Sequence, residues 1–259
     1  MKITLLGCGA SGGVPLIGCD CAVCTSSNPR NKRTRVSALI EHQGANILLD
    51  MSPDLRQQCL KANIKTVDAI ICTHAHADHC HGIDDVRGLN FHKNGPLDLY
   101  TNEATLAELH TRFPYAFSPR DPAHGWYKPQ FTTHVIRPDE AQVFEVKPGV
   151  SIRCFDQIHG RLNTIGLRIE NVAYSVDVRN FREQFTQHLE NLDLWVVDCL
   201  QFDPAPTHAH LALALEWIER FKPKRAILTH MSHVFDYDAL KSQLPPHVEP
   251  AHDGMVIEI

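Results

Sequence analysis

The chain has 259 residues, enough to bury a substantial core in one large domain or two small ones. Its 43% hydrophobic and 21% charged residues are ordinary for a soluble globular protein, and a formal charge of −5 argues against a generally basic nucleic-acid surface. Seventeen histidines against three tryptophans are the compositional oddity, and position decides which of them matter.

Met1–Gly7 is too short for a signal peptide and predicts a first strand over Ile3–Gly7. Gly7-Cys8-Gly9-Ala10-Ser11-Gly12 then matches the dinucleotide pattern G-x-G-x-x-G, but Gly13-Val14-Pro15 and a cysteine cluster follow where that pattern needs a helix, so a nucleotide cofactor is rejected. Strands are expected at Ser37–Glu41 and Asn46–Asp50, a helix at Asp54–Ala62, and a buried strand at Ala69–Thr73. A helix over Gly82–Leu89, a strand over Leu97–Thr101 and a helix over Glu103–Phe113 come next. Pro114–Pro138, rich in Pro and aromatics, is the longest irregular stretch and reads equally as a lid or a surface excursion. Strands follow at Gln142–Val146, Ser151–Gln157, Thr164–Glu170 and Ala173–Val176, with a helix at Asn180–Glu190. The chain closes with strand Leu194–Asp198, helix His208–Phe221, strand Ala226–Thr229, helix Tyr237–Gln243 and strand Met255–Ile259. This alternation, without a low-complexity linker, predicts one domain over 1–259 built as a two-sheet α/β sandwich covered by helices. No apolar run approaches the roughly 18 residues of a membrane span. Nine scattered cysteines predict a reducing, cytoplasmic setting.

The densest chemistry is Thr73-His74-Ala75-His76-Ala77-Asp78-His79, with four metal-competent side chains in six residues at the mouth of a strand. In an extended turn 74, 76 and 78 point one way and 79 the other, which can divide the ligands between two ions. A polar loop with Asp78 as a helix cap would explain one histidine, not three. Further donors end three later strands: His159, Asp177 and His230. A second constellation, Gly18-Cys19-Asp20-Cys21-Ala22-Val23-Cys24, brings three thiols into six residues. They cannot all face one apolar side, and in a reducing compartment a tetrahedral structural Zn2+ is the better reading than a redox cluster. His233 is the best fourth ligand and Cys8 a weaker one.

With Asp50, His74–His79, His159, Asp177 and His230, the sequence resembles the metallo-β-lactamase superfamily over nearly its whole length. The resemblance implies a four-layer αββα sandwich with a dinuclear centre between the sheets. It assigns His74, His76 and His159 to one ion and Asp78, His79 and His230 to the other, with Asp177 bridging and Asp50 orienting the ligands by hydrogen bonds. Two ions roughly 3.5–4 Å apart lower the pKa of a shared water, and the resulting bridging hydroxide can attack phosphorus. Mn2+, Zn2+ or Fe2+ would suit such ligands.

The cysteine motif, His81-Gly82-Ile83-Asp84-Asp85-Val86-Arg87, the Leu228–His233 segment and Asp253-Gly254-Met255 together resemble the phosphodiesterases of the carbon–phosphorus lyase pathway. That implies a small phosphodiester as partner, either phosphoribosyl 1,2-cyclic phosphate or a 2′,3′-cyclic nucleotide, and a homodimer. Those enzymes place a catalytic histidine 22 residues before the last metal ligand, which selects His208 as general acid, with His210 in reserve and Asp78 counted in the catalytic set. His81 and His252 border the site in this reading. Arg120, His124, Trp126 and Tyr127 are read equally as substrate contacts or packing residues. A tRNA 3′-end endonuclease would need a basic arm that is not visible, and a pyrroloquinoline-quinone biosynthesis B-type protein tends to depart from the full ligand set retained here. A non-catalytic zinc-binding module is the fourth reading.

Overall fold

The computed structural model describes residues 1–119, 123, 125 and 127–259, so Arg120, His124 and Trp126 lie outside the described residues. Among those residues the first half of the chain supplies β1 (Lys2–Gly7), β2 (Ser37–His42), β3 (Ala45–Leu49), β4 (Ala69–Ile71), β5 (Leu97–Thr101) and β6 (Phe131–Val135). The second half supplies β7 (Val143–Lys147), β8 (Val150–His159), β9 (Leu162–Ile169), β10 (Val172–Ser175), β11 (Asn180–Phe181), β12 (Leu194–Asp198), β13 (Arg225–Thr229), β14 (Val248–Pro250) and β15 (Met255–Glu258). Two mixed sheets result, in the orders β15-β1-β2-β3-β4-β5-β6 and β11-β8-β9-β10-β12-β13-β14, with β7 paired to β8. In each sheet antiparallel hairpins lead into parallel strands, and parallel pairing requires crossovers that place helices on the outside. The final strand β15 returns to the first sheet beside β1.

The layers follow from residue alternation. In β2–β4, Ala38, Ile40, Ile47, Leu49, Ala69 and Ile71 join the core shared with the second sheet. Their neighbours Leu39, Leu48 and Ile70 point outward to Leu55, Val86, Leu89 and Leu109 on the covering helices. Between the sheets, Ile3 and Ile40 meet Leu167, Ile169 and Val196 around a void of only about 10 Å3. Helices α1 (Ala22–Thr25), α2 (Leu55–Lys61), α3 (Ala77–Cys80), α4 (Val86–Lys93), α5 (Glu103–Arg112), α6 (Pro114–Phe117), α7 (Glu183–Thr186), α8 (Leu211–Phe221) and α9 (Tyr237–Gln243) complete the αββα sandwich. No helix among the described residues is long and apolar enough to cross a membrane.

Several expectations need correction. Pro114–Pro138 is not wholly irregular: Pro114 starts a helical turn and β6 extends the first sheet at its edge. The segment expected as helix Asn180–Glu190 begins as β11, and only Glu183–Thr186 is α-helical. The helix expected from His208 starts at Leu211, because His210 first bridges to Gln201 in extended conformation. Gly82–Leu89 divides into a 3-10 turn at Ile83–Asp85 and α4, which a left-handed Asn94 ends.

Candidate metal centre

The donors gather where strands end. His74 to His79 follow β4, His159 closes β8, Asp177 follows β10, Asp198 closes β12 and His230 follows β13. Asp50, Asp177 and His230 all adopt left-handed backbone, with φ of 63°, 53° and 57°. Such conformations cost on the order of 1 kcal/mol or more each for residues with a side chain, and persist where surrounding contacts over-determine them. Here they turn three polar side chains off the strand direction and into one buried space.

Two donor sets meet there. His74, His76, His159 and Asp177 form one, and Asp78, His79, Asp177 and His230 the other, each with donor atoms within 4.8 Å of one another. The Asp177 carboxylate is divided between them. Oδ2 lies 3.4 Å from His74 Nε2 and 3.6 Å from His159 Nε2, while Oδ1 lies 3.2 Å from His79 Nε2 and 3.3 Å from His230 Nε2. Asp78 Oδ2 stands 3.4 Å from both His79 Nε2 and His230 Nε2. These are ligand–ligand separations: a tetrahedron with bonds of about 2.1 Å has edges of about 3.4 Å. His74 Nε2, His79 Nε2 and Asp177 Oδ1 are buried without a hydrogen-bond partner, a costly state for polar atoms unless a cation completes it. The donor set therefore fits a divalent metal.

His79 and His159 are tied down on their far sides, which sets ring orientation and tautomer. Asp50 Oδ2 lies 2.7 Å from His79 Nδ1 and accepts from Thr73 Oγ1 at 2.9 Å, while its Oδ1 accepts from the Thr73 backbone N–H at 2.7 Å. His159 Nδ1 donates to the Thr207 carbonyl at 2.7 Å. Thr164 Oγ1 donates to the Asp177 carbonyl at 2.9 Å. Arg112 reaches across from α5 to donate to the Ala75 carbonyl, between His74 and His76, and pairs with Glu108 at 2.7 Å.

Without metal, the cluster balances its own charge. Burial works against charge on His230, yet Asp177, Asp78 and Asp198 raise its pKa to about 9. Burial likewise opposes charge on His79, but Asp177 and Asp50 lift it well above the imidazole range. Burial would raise Asp78 and Asp177, and the neighbouring His79 and His230 hold both well below the carboxylate range instead. Burial lowers His159 to about 4, which keeps it neutral and ready to ligate.

His208 lies at this centre and His210 does not. The His208 ring stacks on His230 at 4.7 Å and meets His159 edge-on at 4.6 Å, with Nε2 3.9 Å from Asp177 Oδ2. Its Nδ1 is 2.9 Å from Asp198 Oδ2, which also accepts from the Val178 backbone N–H. His210 caps α8 and joins none of the donor clusters among the described residues. Asp198, Thr207 and Arg112 were not singled out in the sequence. Only Asp198 carried a signal, as a carboxylate closing an apolar strand. His81 packs edge-on against Phe113 and His252 against Tyr237, outside the clusters, and Tyr127 is half exposed.

The thiols of Cys19, Cys21 and Cys24 also gather within 4.8 Å. Cys21 caps α1, its sulfur accepting from the Cys24 backbone N–H at 3.4 Å, and Cys24 Sγ accepts from the Leu16 N–H at 3.3 Å. The Cys24 N–H contact is the leading influence lowering the Cys21 pKa, which suits a thiolate ligand. His233 approaches through its backbone: its carbonyl is 3.8 Å from Cys21 Sγ, while its ring is not among the gathered donors. Cys8 lies apart, bonded to Asp253.

A His/Asp donor cluster between the edges of two mixed sheets defines a metal-binding αββα hydrolase fold. The model of the beta-lactamase superfamily domain matches residues 45–231, and the chain belongs to that superfamily, with the metallo-β-lactamase fold. A crystal structure of a diphosphatase from the PhnP family is 36% identical, with a TM-score of 0.91 over 100% of this chain and 97% of that one. An octanoyltransferase from Porphyromonas gingivalis is 33% identical over 98% of this chain, which spans only 51% of that protein's length. Zn2+-bound PqqB from Methylobacterium extorquens covers 100% of both chains at a TM-score of 0.78 but 19% identity, a likeness of fold alone.

Proposed function

We propose that the chain is a two-metal phosphodiesterase that opens a small cyclic phosphate, either phosphoribosyl 1,2-cyclic phosphate or a 2′,3′-cyclic nucleotide. The observation that carries this reading is the divided Asp177 carboxylate, one oxygen facing each donor set. His74, His76 and His159 would hold one divalent ion and Asp78, His79 and His230 the other, with Asp177 shared; Mn2+ and Zn2+ both suit these ligands. Ions bound there supply Lewis acidity, lowering the pKa of water and offsetting charge on a phosphoryl oxygen.

The chain's own residues do the rest. His208, held at Nδ1 by Asp198, directs Nε2 toward the centre and donates a proton to the leaving alkoxide. Asp198 fixes the tautomer and steadies the protonated ring. Asp50 and Thr207 keep His79 and His159 in register. Cys19, Cys21 and Cys24 would hold a structural Zn2+, with His233 as the fourth ligand once its side chain turns in. The likeness to a diphosphatase supports a phosphoester substrate, and nine unpaired cysteines support a cytoplasmic setting.

The test is a substrate panel on protein reconstituted separately with Mn2+ and Zn2+. It comprises phosphoribosyl 1,2-cyclic phosphate, 2′,3′-cyclic nucleotides, a pre-tRNA and an octanoyl thioester. Turnover confined to the cyclic phosphates supports the reading. Turnover of pre-tRNA or thioester alone replaces it.

A further inference from the structure

Arg33 is the only buried arginine among the described residues, at 2% exposure, and none of them offers it a carboxylate in ion-pair range. Neutral acceptors hold it instead. One terminal nitrogen donates to the Ser232 carbonyl at 3.2 Å, the other to the Phe235 carbonyl at 2.8 Å and Asn31 Oδ1 at 3.3 Å. Its Nε is buried with no partner. A buried cation without a counter-charge is costly. Arg168 also binds carbonyls, of Glu170, His188 and Glu190, but it is half-buried and water shares its charge. The anionic groups around Arg33 are committed elsewhere. Asp236 accepts from Asn31 Nδ2 at 2.6 Å and caps α9 through the Ala239 N–H at 3.0 Å. Asp253 accepts from the Thr34 N–H and Oγ1, both at 2.7 Å, and from the Cys8 N–H at 3.1 Å. Burial keeps Cys8 a neutral thiol. Cys24, a member of the thiol cluster, is the group that remains.

Arg33 and the thiols also take hold of the same turn. Cys21 Sγ lies 3.8 Å from the His233 carbonyl, between the two carbonyls that the Arg33 fork grips. Arg33 and Val14 exchange backbone hydrogen bonds at 2.8 Å, and Leu16, two residues on, donates to Cys24 Sγ at 3.3 Å. Lys32 Nζ donates to the Cys24 carbonyl at 2.9 Å, and Asn31 Nδ2 to Ser26 Oγ at 3.2 Å. Residues 31–33 thus form a strut between the cysteine loop and the turn that carries His233.

We propose that Arg33 is the positioning residue of the cysteine metal site: its charge balances a divalent ion bound by three thiolates, and its fork holds the 232–235 turn so that the His233 ring supplies the fourth ligand. A divalent ion with three thiolates and a neutral imidazole carries one net negative charge, which one guanidinium cancels. The planar fork matters as much as the charge, because a single group must span the two carbonyls on either side of His233. The proposal rests on the structural zinc in the reading above and names the residue that supports it from outside the ligand set.

The experiment loads metal-free full-length protein with Co2+. A sulfur-to-cobalt charge-transfer band reads the cysteine site alone, because the His/Asp centre has no thiolate. The visible d–d bands, after subtraction of the Cys21→Ser spectrum, report the fourth ligand, with His233→Ala as the reference for its loss. Arg33→Met should weaken Co2+ at the cysteines about tenfold or more in competition with a chelator, and shift the d–d bands to those of His233→Ala. Arg33→Lys, charged but unable to span both carbonyls, should keep most of the affinity and still show the His233→Ala bands. A folded Arg33→Met with wild-type affinity, Arg33→Lys with wild-type bands, or identical bands in wild type and His233→Ala overturns the proposal and leaves a metal at the cysteines standing. Where Arg33→Met does not fold, Arg33→Lys decides. A wild type without the charge-transfer band sinks the structural zinc and the proposal together, and the phosphodiesterase reading then stands or falls on its substrate panel.

Discussion

The two donor clusters of this chain are built in opposite ways. The His/Asp set is drawn from four separate strand ends, and all of its members except His76 are buried. Its geometry is held by the fold itself, through Asp50, Thr207, Thr164 and Asp198. The cysteine set comes from six consecutive residues around one helical turn, with Cys19 and Cys21 half-buried and Cys24 buried, and its sulfurs are held by the local N–H groups of Cys24 and Leu16 and by one contact to the His233 carbonyl. A site assembled across a core keeps its shape without metal and can spend metal on chemistry. A site on a short loop depends on the metal for its shape.

The largest effect expected from this contrast is at the shared carboxylate. Asp177→Asn keeps the shape of the side chain and removes the charge both donor sets use. Activity on a cyclic phosphodiester should fall on the order of 10⁴-fold, with metal content at the His/Asp centre reduced. Full metal occupancy with unimpaired turnover would break the two-set description. Next comes His208→Ala, expected to lower kcat roughly 10²–10³-fold on a poor leaving group such as an alkoxide. On bis(p-nitrophenyl) phosphate, whose leaving group needs no proton, the loss should shrink to a few-fold. Equal losses on both substrates would place His208 outside proton transfer. Asp50→Ala acts through His79 and Thr73 and should weaken metal binding about 10–100-fold, read by competition with a chelator.

The same contrast explains what the sequence made legible. The His74–His79 run stood out because it is consecutive, and His159, Asp177 and His230 because each ends an apolar strand. The cysteine cluster is likewise local. Contacts made only by packing were not legible. Arg112 reaches Ala75 from a helix 37 positions on, and Thr207 meets His159 across 48. The choice between His208 and His210 turned on backbone that runs extended to His210, where the apolar pattern alone predicted helix. β6 and β11 escaped because Thr132-Thr133-His134 at a sheet edge and a two-residue strand carry no apolar alternation.

At the cysteines the effect should be smaller and of another kind. Cys21→Ser removes one thiol from a loop that is otherwise held by backbone contacts, and should lower Tm by roughly 5–10 °C with one zinc fewer per chain. The folded fraction should keep the wild-type KM on the cyclic phosphate. An unchanged Tm with that zinc missing would remove the folding role assigned to this set.

The smallest signal is proton release on loading the His/Asp centre. In the metal-free chain burial opposes a proton on His230, but Asp177, Asp78 and Asp198 outweigh it and set the pKa at about 9. At pH 7.5 the ring is therefore protonated, and a metal that takes Nε2 must expel that proton, with a further one from His79, whose pKa is raised in the same way. His159, lowered to about 4 by burial, has none to give. Calorimetric titration of Zn2+ into metal-free Cys21→Ser protein, repeated in buffers of different ionisation enthalpy, should count between about one and two protons at pH 7.5 and fewer above pH 9. A count of zero at pH 7.5 would mean that the carboxylates do not hold the two imidazoles charged, and that the centre is less tightly assembled before metal arrives than its packing implies.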